Sequence, residues 1–549
     1  MSGIDRHYGF GEKGGVTRDF GDFLVARSVE MRRLPPLNSL PPPMRLKFIL
    51  FLLLVGIAIR CIGLPRPLLD AHNIRQVHTA DLAKNLMEDG YPWLKTRGDW
   101  KGFEDCTVVL ELPVQMHLAA RLSTLTGSLE AAGRLTSIAF WGVAFLLFCW
   151  LCGQLLSPTG AKWAAAIFAF SPLGIFFGQS FQPETLMLSL SLIVLCSFLK
   201  WCDTDRSIWL LPMGAALVLG LTLKSNEIVH LAVPVLVFGW ARKGGQFLLR
   251  WQIWLVGLAA IATVIVWARV MNYYNTQSFP GWSPASMLHD FIGTPAMRLS
   301  PRFYIKLAGY MGILGLTPVL AFFWLRGLWL ECSGRRHPLI LGWGIGVALF
   351  YLIFGPGGPA AHSYYHMPAL PWFCIVAAIG LEAALQPLNV LGRSKLLQGV
   401  VAVIWLAFAT LGLMNLYRPD HTAYGAARAL ADFHPAKDEA VIVAADHRSD
   451  TSGLEVYPIM FFYSGTRGYN LPTVDRLASL DALLRKHPEL TWVIQTREAE
   501  KDGMAWREKL PFFSRVAAPQ EPLDDALLSR GFVKKVATTG WVIFQRPHQ

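Results

Sequence analysis

The sequence predicts a polytopic α-helical membrane protein of about eleven transmembrane helices, followed by a C-terminal soluble α/β domain. Three observations carry this expectation. Hydrophobic residues fill 53% of the 549 positions and charged residues only 16%, against roughly 45–50% and 25% in soluble domains. Apolar runs long enough to cross a bilayer recur along most of the chain, separated by short loops. From residue 417 the pattern changes to short strand-like and helix-like runs.

The first segment, 1–45, is polar, Gly-rich and then Pro-rich, and it carries Arg27, Arg32, Arg33 and Arg45. It is expected to be disordered and cytoplasmic. The apolar run 48–62 begins too late for a secretory signal and lacks a small-residue cleavage site, so it is read as an uncleaved anchor. Ten further runs follow, near 133–154, 160–177, 182–200, 208–223, 226–242, 252–271, 305–329, 338–354, 367–386 and 397–416. The stretch 113–125 is short and contains Gln115, His117 and Arg121, so it is expected to lie on the membrane as an interfacial helix.

Charge fixes the orientation. With eleven spans and a cytoplasmic N-terminus, the inside loops hold Lys162, Arg206, Arg242, Lys243, Arg250, Arg335, Arg336, Arg393 and Lys395, as the positive-inside rule requires. A twelfth span at 113–125 would place those loops outside. The membrane domain is then 46–416, including a first outside loop at 63–132, and the extracytoplasmic domain is 417–549. In that domain a helix is expected at 424–433, strands at 440–445, 459–463 and 492–495, a helix at 477–485, and a hairpin of 533–536 with 541–544.

The net charge of +12 is dispersed among the spans and reports orientation, so no nucleic-acid partner is expected. The eight cysteines lie mostly in apolar runs. Cys149 and Cys152 have a C-x-x-C spacing, but no second pair accompanies them, so they read as packing residues.

The polar residues that stand out all fall on the outer side of this topology. Asp70, His72, Arg75, Gln76 and His78 crowd into nine residues directly after the first span. Asp105 and Glu111 add carboxylates to the same loop. Glu111 orients a substrate or a base, or caps the 113–125 helix. Gln179, Gln182 and Glu184 surround Pro183, and Lys224 interrupts two apolar runs. Lys224 either snorkels to the interface or binds phosphate, because a cation near the bilayer core is costly unless partnered. His362, Tyr364, Tyr365 and His366 cluster before a late span; an aromatic belt accounts for the tyrosines but not for the histidines. A metal site from Asp70, His72, His78 and an acidic partner matches no strong ligand spacing, so no metal ligand is assigned.

Several short motifs resemble the GT-C glycosyltransferases, specifically the bacterial branch of the protein O-mannosyltransferase and lipid A aminoarabinose transferase family. They are DAHNIRQ from Asp70, TADLAKNL from Thr79, ELP from Glu111, GRLTS from Gly133, QPE from Gln182, LTLKSN from Leu221, YYHMPALP from Tyr364 and YSGTRGYN from Tyr463. Asp70 is followed by Ala-His where many relatives carry a second carboxylate.

The resemblance implies a GT-C fold in a bacterial inner membrane. It implies inverting transfer of a sugar from a polyprenyl-phosphate donor to a hydroxyl of a glycolipid, polysaccharide or protein at the outer face. In that chemistry Asp70 is the expected base, facing water or paired with Arg75, and Glu111 is the second catalytic carboxylate. Lys224, with Arg75 and His366 behind it, meets the leaving phosphate. His72, Gln76, Asp105, Gln182, Glu184, His362, Tyr364 and Tyr365 line the substrate site. No cofactor is required, and a divalent metal is compatible. Membrane lipid surrounds the whole. An O-antigen polymerase or ligase, or a lipid-linked sugar flippase, is the alternative. A flippase favours internal repeats and midplane polar groups, which this sequence lacks.

Overall fold

The computed structural model describes residues 46–279, 283–335, 337–390, 394–419, 421–433, 435, 439–444, 458–472, 475–496 and 523–547. The segment 1–45 and the inside-loop residues Arg336 and Arg393 lie outside the described residues.

The expected apolar runs form helices in sequence order, except that the run expected at 160–177 is broken at Ser171, where Pro172 starts a separate short helix, Pro172–Phe177. They are α1 (Leu46–Arg60), α4 (Leu129–Leu155), α5 (Pro158–Phe170), α6 (Glu184–Thr204), α7 (Leu210–Ile228), α8 (Ala232–Lys243), α9 (Trp251–Ser278), α10 (Pro301–Gly309), α11 (Thr317–Leu330), α12 (Pro338–Phe354), α13 (Leu370–Val390) and α14 (Ser394–Leu416). Between the first two lie α2 (Asn73–Glu88) and α3 (Val114–Thr126), both contributed by the first loop. Local chemistry sets the ends. Ser128 and Ser157 accept hydrogen bonds from the first turns of α4 and α5, and Pro158 and Pro338 occupy first-turn positions where no N–H is needed.

Among the described residues five helices are long and apolar enough to cross a bilayer, and a bent pair counts as a sixth. That pair corrects the continuous span expected at 305–329. The chain turns by 109° between Gly315 and Thr317. Pro318 explains the break, since it lacks an N–H and forces the preceding residue out of helical geometry. Thr317 accordingly sits at φ +70°, a costly position for a β-branched residue.

α9 buries little against protein. Leu258 is 63% exposed and Val266 60%, which suits a helix whose solvent is lipid. The opposite extreme is the contact of α11 with α13. A Cβ on Gly327 would lie 1.9 Å from the Val376 carbonyl oxygen, and one on Gly380 would lie 1.9 Å from that of Phe323. Without a hydrophobic force between helices in lipid, close backbone approach of this kind supplies the dispersion contact.

The C-terminal segment forms a five-stranded sheet of order β2-β1-β3-β5-β4, from β1 (Ala440–Ala444), β2 (Arg467–Asn470), β3 (Trp492–Thr496), β4 (Val533–Ala537) and β5 (Trp541–Gln545). β1 pairs in parallel with β2 and β3, whereas β5 is antiparallel to both β3 and β4. The expected helices appear as α15 (His421–Asp432) and α17 (Arg476–Lys486). The strand expected at 459–463 is instead a helix, α16 (Pro458–Ser464), bracketed by Pro458 at its start and Gly465 at φ +71° after its end. β2, not anticipated, falls within the motif YSGTRGYN.

β1 and β3 are buried on both faces, and their side chains alternate between two cores in period two. Val441, Val443 and Ile494 pack with α15, α16 and the first-loop residues Leu68, Val77, Leu82 and Trp100. Ala440, Ile442 and Val493 pack on the other side with Leu480 and Leu527. First loop and C-terminal domain therefore share one core.

The α11–α13 contact yields a direct test. Gly327→Ala is expected to cost at least the 1–3 kcal/mol typical of overpacking, at about that order, and so to lower the melting temperature in detergent. Gly399→Ala, where no atom lies within 4 Å, should melt like the native protein. Equal melting of both variants would show that α11 and α13 do not meet at Gly327.

Candidate active site

Three hydrogen-bonded pins bring distant segments together at one end of the bundle. On α2, Gln76 donates to the Ala71 carbonyl (3.1 Å) and accepts from the Phe181 N–H (3.2 Å), tying the first loop to the turn before α6. The Leu112 N–H donates to the Thr222 carbonyl (3.0 Å), which sets Glu111 beside the end of α7. His72 Nε2 lies 2.8 Å from Ser363 Oγ and fastens the loop before α13.

At the centre is Lys224. The helical backbone of α7 breaks there (φ −150°, ψ 83°). Its Nζ donates to both carboxylate oxygens of Glu184, at 2.6 and 2.8 Å. The rings of Tyr364 and Tyr365 lie 4.6 and 5.0 Å from the same ammonium. Glu184 is fully buried.

A second pair lies alongside. Arg75 Nη2 donates to Glu111 Oε2 at 2.5 Å, and Arg75 Nη1 is 3.3 Å from His78 Nδ1. Burial disfavours charge on Arg75, but Glu111, then Tyr364 and Glu184, hold the guanidinium above its ordinary range.

Burial lowers the proton affinity of His72, His78 and His366. Burial pushes His72 down to about 3, with His362 and Lys224 adding to the effect. His72 also adopts left-handed geometry at φ 56°. His362 stacks on Tyr364, ring centroids 5.2 Å apart and planes within 8°. His366 has both ring nitrogens engaged, Nδ1 with the Tyr351 hydroxyl (2.6 Å) and Nε2 with the Pro359 carbonyl (3.0 Å), and burial pushes it to about 3. It braces the loop and carries no charge toward a phosphate.

Asp70 sits in a different setting. Its charged neighbours are Arg134 at 3.7 Å and Arg66 at 3.8 Å; Arg75, the partner anticipated for it, pairs with Glu111 instead. Burial raises the Asp70 carboxyl above its ordinary value, opposed by Arg66 and Arg134. Arg134 also donates to the carbonyls of Leu64, Arg66 and Pro67 and so fixes the chain leading into Asp70.

Gln182 is fully buried, and neither of its amide atoms has a hydrogen-bond partner among the described residues. Asp105 stands apart. It is 54% exposed and pairs with Lys95 at 3.2 Å.

Some contributing residues were not singled out from the sequence. Arg134 lies within GRLTS, and its sequence signal is a charge at the mouth of an apolar helix. Lys84 joins Asp99 (2.5 Å) and Asp81 (3.4 Å) in a buried cluster beneath the first loop. Burial and the adjacent Asp99 push Asp81 upward.

Residues 112–268 match a family model described as dolichyl-phosphate-mannose-protein mannosyltransferase. No curated protein matches the chain in sequence. The fold is similar to the crystal structure of ArnT from Cupriavidus metallidurans bound to undecaprenyl phosphate, with TM-score 0.59 and 13% identity over 91% of this chain and 98% of that one. It is also similar to the archaeal oligosaccharyltransferase AglB from Archaeoglobus fulgidus in complex with an inhibitory peptide and a dolichol-phosphate, with TM-score 0.57 and 10% identity over 82% of this chain and 69% of that one. The chain thus resembles the GT-C glycosyltransferases, on the side of ArnT and the protein mannosyltransferases, and is a membrane protein of that fold.

The buried ion pair predicts an asymmetry. Glu184→Ala leaves the Lys224 ammonium without its carboxylate and should cost about 3–5 kcal/mol, read as a large drop in melting temperature. Glu184→Gln combined with Lys224→Met removes both charges and should recover most of that loss. A single variant as stable as the native protein would mean that the pair is solvated.

Proposed function

We propose that the chain is an inverting glycosyltransferase that moves a sugar from a polyprenyl-phosphate donor to a hydroxyl of a glycolipid, polysaccharide or protein. The observation that carries this reading is the meeting of Arg75, Glu111, Glu184 and Lys224, from four separate segments, at one end of a lipid-embedded bundle. ArnT, which shares the fold, was crystallised with undecaprenyl phosphate, a molecule of the class this site would release.

The chemistry follows from charge. The acceptor oxygen attacks the anomeric carbon as the bond from that carbon to the phosphate oxygen breaks. The acceptor proton passes to a carboxylate, and the leaving polyprenyl phosphate gains negative charge. Lys224 and Arg75 are fixed cations in a low-dielectric setting, and they stabilise that charge without reorganising. Glu184 and Glu111 hold them in place. Asp70 is the base, because burial increases its affinity for a proton. His72, Gln76, Gln182, His362, Tyr364 and Tyr365 line the donor pocket, with His366 bracing it; Asp105 stands outside it. Displacement of a phosphate ester needs no nucleotide or redox group. A divalent cation is compatible with this reading but not part of it.

In this reading the protein spans a bacterial inner membrane about eleven times. The N-terminus is cytoplasmic, and the site and C-terminal domain face outward. A cysteine introduced at the exposed Asp475 should react with an impermeant thiol reagent in intact cells. Reaction only after lysis would reverse the topology.

Incubating the full chain with a radiolabelled polyprenyl-phosphate sugar and envelope acceptors tests the activity. Transfer should release free polyprenyl phosphate, which a flippase does not do. Asp70→Asn should lower turnover about 10²–10⁴-fold while donor binding persists, and Lys224→Met should weaken donor use far more than Lys162→Ala. If Glu111→Gln is inactive and Asp70→Asn is not, Glu111 is the base. Full activity in all of these variants would remove this cluster from the chemistry.

A further inference from the structure

The opposite end of the bundle holds a second charged site that the transfer chemistry does not use. α6 runs from Glu184 to Thr204 and α7 from Leu210 back to Lys224. At 1.5 Å per residue the two ends lie about 30 Å apart, the thickness of a bilayer's hydrocarbon core. There a cavity of about 330 Å³ is lined by Asp205, Arg242, Lys243, Gly245, Gln246 and Arg250.

Its charge is unbalanced. Arg242 reaches Asp203 at 3.3 Å, while Lys243 and Arg250 both reach Asp205, at 3.0 and 3.2 Å. Lys243 and Arg250 thus share one carboxylate, and their ammonium and guanidinium carry more donors than these contacts with Asp205 use. The loop shape is specified as well. Gly244 lies at φ 60°, ψ −151°, a region open essentially to glycine alone, and it folds the segment after α8 back over the cavity. An orientation signal requires basic residues but not a cavity built to this shape.

Beside the charged cavity the surface is apolar. Leu249 is 82% exposed, Trp251 67% and Trp254 58%. The Trp254 indole donates to the Leu248 carbonyl at 2.7 Å, which fixes its orientation. The exposed face continues along α9 through Leu258 and Ile261. A polar anion would engage only the cavity, whereas an amphiphile engages both surfaces.

We propose that this cavity binds the phosphodiester of an anionic phospholipid, with the acyl chains lying along α9. Lys243 and Arg250 take the phosphate beside Arg242, which Asp203 holds at 3.3 Å, and Trp251 and Trp254 flank the glycerol level of the lipid. The same three cations disfavour a choline headgroup through like-charge repulsion. The site is independent of the sugar-transfer reading, and its test does not use turnover.

The full chain, delipidated in detergent, is titrated with phosphatidylglycerol and with phosphatidylcholine under native mass spectrometry. Phosphatidylglycerol should bind about tenfold or more tightly than phosphatidylcholine. Lys243→Gln with Arg250→Gln should lose that preference. A photoactivatable phosphatidylglycerol should crosslink the native protein between residues 242 and 258, which keeps the proposal testable if the double variant does not fold. Equal binding of the two lipids, an unchanged preference in the variant, or crosslinks confined to other helices would overturn it. So would millimolar inorganic phosphate displacing the lipid completely, since the site would then be one for soluble anions.

Discussion

The arrangement of the whole site depends on one constraint: an ammonium placed where two apolar helices end cannot remain charged there alone. Lys224 meets it with Glu184 in a bidentate contact. The two helices make that contact less costly than it would be elsewhere. Glu184 occupies the first turn of α6, where the helix dipole favours an anion, and Lys224 lies near the C-terminal end of α7, where it favours a cation. The break in α7 turns the lysine toward its partner, and the two tyrosine faces cover the remaining side. Because removing water from two charges is expensive, such a pair is poor evidence for stability. Its place at a convergence of loops favours a role in chemistry.

The loops are held around this pair from outside. The first loop is stitched internally by Lys84, Asp81 and Asp99, and Asp99 in turn joins the C-terminal domain, since its carbonyl accepts from the Gly468 N–H at 2.9 Å. Gly102 donates to the Gly468 carbonyl at 2.8 Å, and the Leu68 N–H donates to the Tyr463 hydroxyl at 2.6 Å. The motif YSGTRGYN therefore acts as a clamp. A Cβ on Gly468 would lie 2.0 Å from the Val441 carbonyl oxygen, so β2 can approach β1 only with glycine there. A C-terminal sheet that shares its core with the first loop fixes that loop more firmly than a tethered one would, which is the preorganisation the proposed charge-stabilising site needs.

Much of this was legible in the sequence because membrane helices make polar residues conspicuous. Lys224, Glu184 and the 362–366 cluster each interrupt an apolar run, and all of them meet in space. Period and length likewise located the helices and four of the five strands. What escaped notice has physical reasons. The 109° bend lies within an unbroken hydrophobic stretch, where Pro318 is the only sign. Pro458–Ser464 reads as a strand by its aromatic content, and only its Pro and Gly flanks mark it as a helix. The pairing of Arg75 with Glu111 rather than Asp70 spans 36 positions, and that of Asp70 with Arg134 spans 64; no local pattern encodes either.

Those two pairings also separate the roles of the carboxylates in the proposed reaction. Glu111 accepts a short direct hydrogen bond from Arg75, so one of its oxygens is committed to holding the guanidinium. Asp70 feels Arg66 and Arg134 only at 3.7–3.8 Å, and Arg134 spends its hydrogen bonds on backbone carbonyls. Burial pulls its proton affinity upward, opposed by these guanidinium groups, which stand too far off to occupy its oxygens. A general base needs that combination: oxygens open to a hydroxyl, and a carboxylate more basic than one in water. The environments thus divide the work, with Asp70 suited to receive the acceptor proton and Glu111 suited to hold the cation that the leaving phosphate meets.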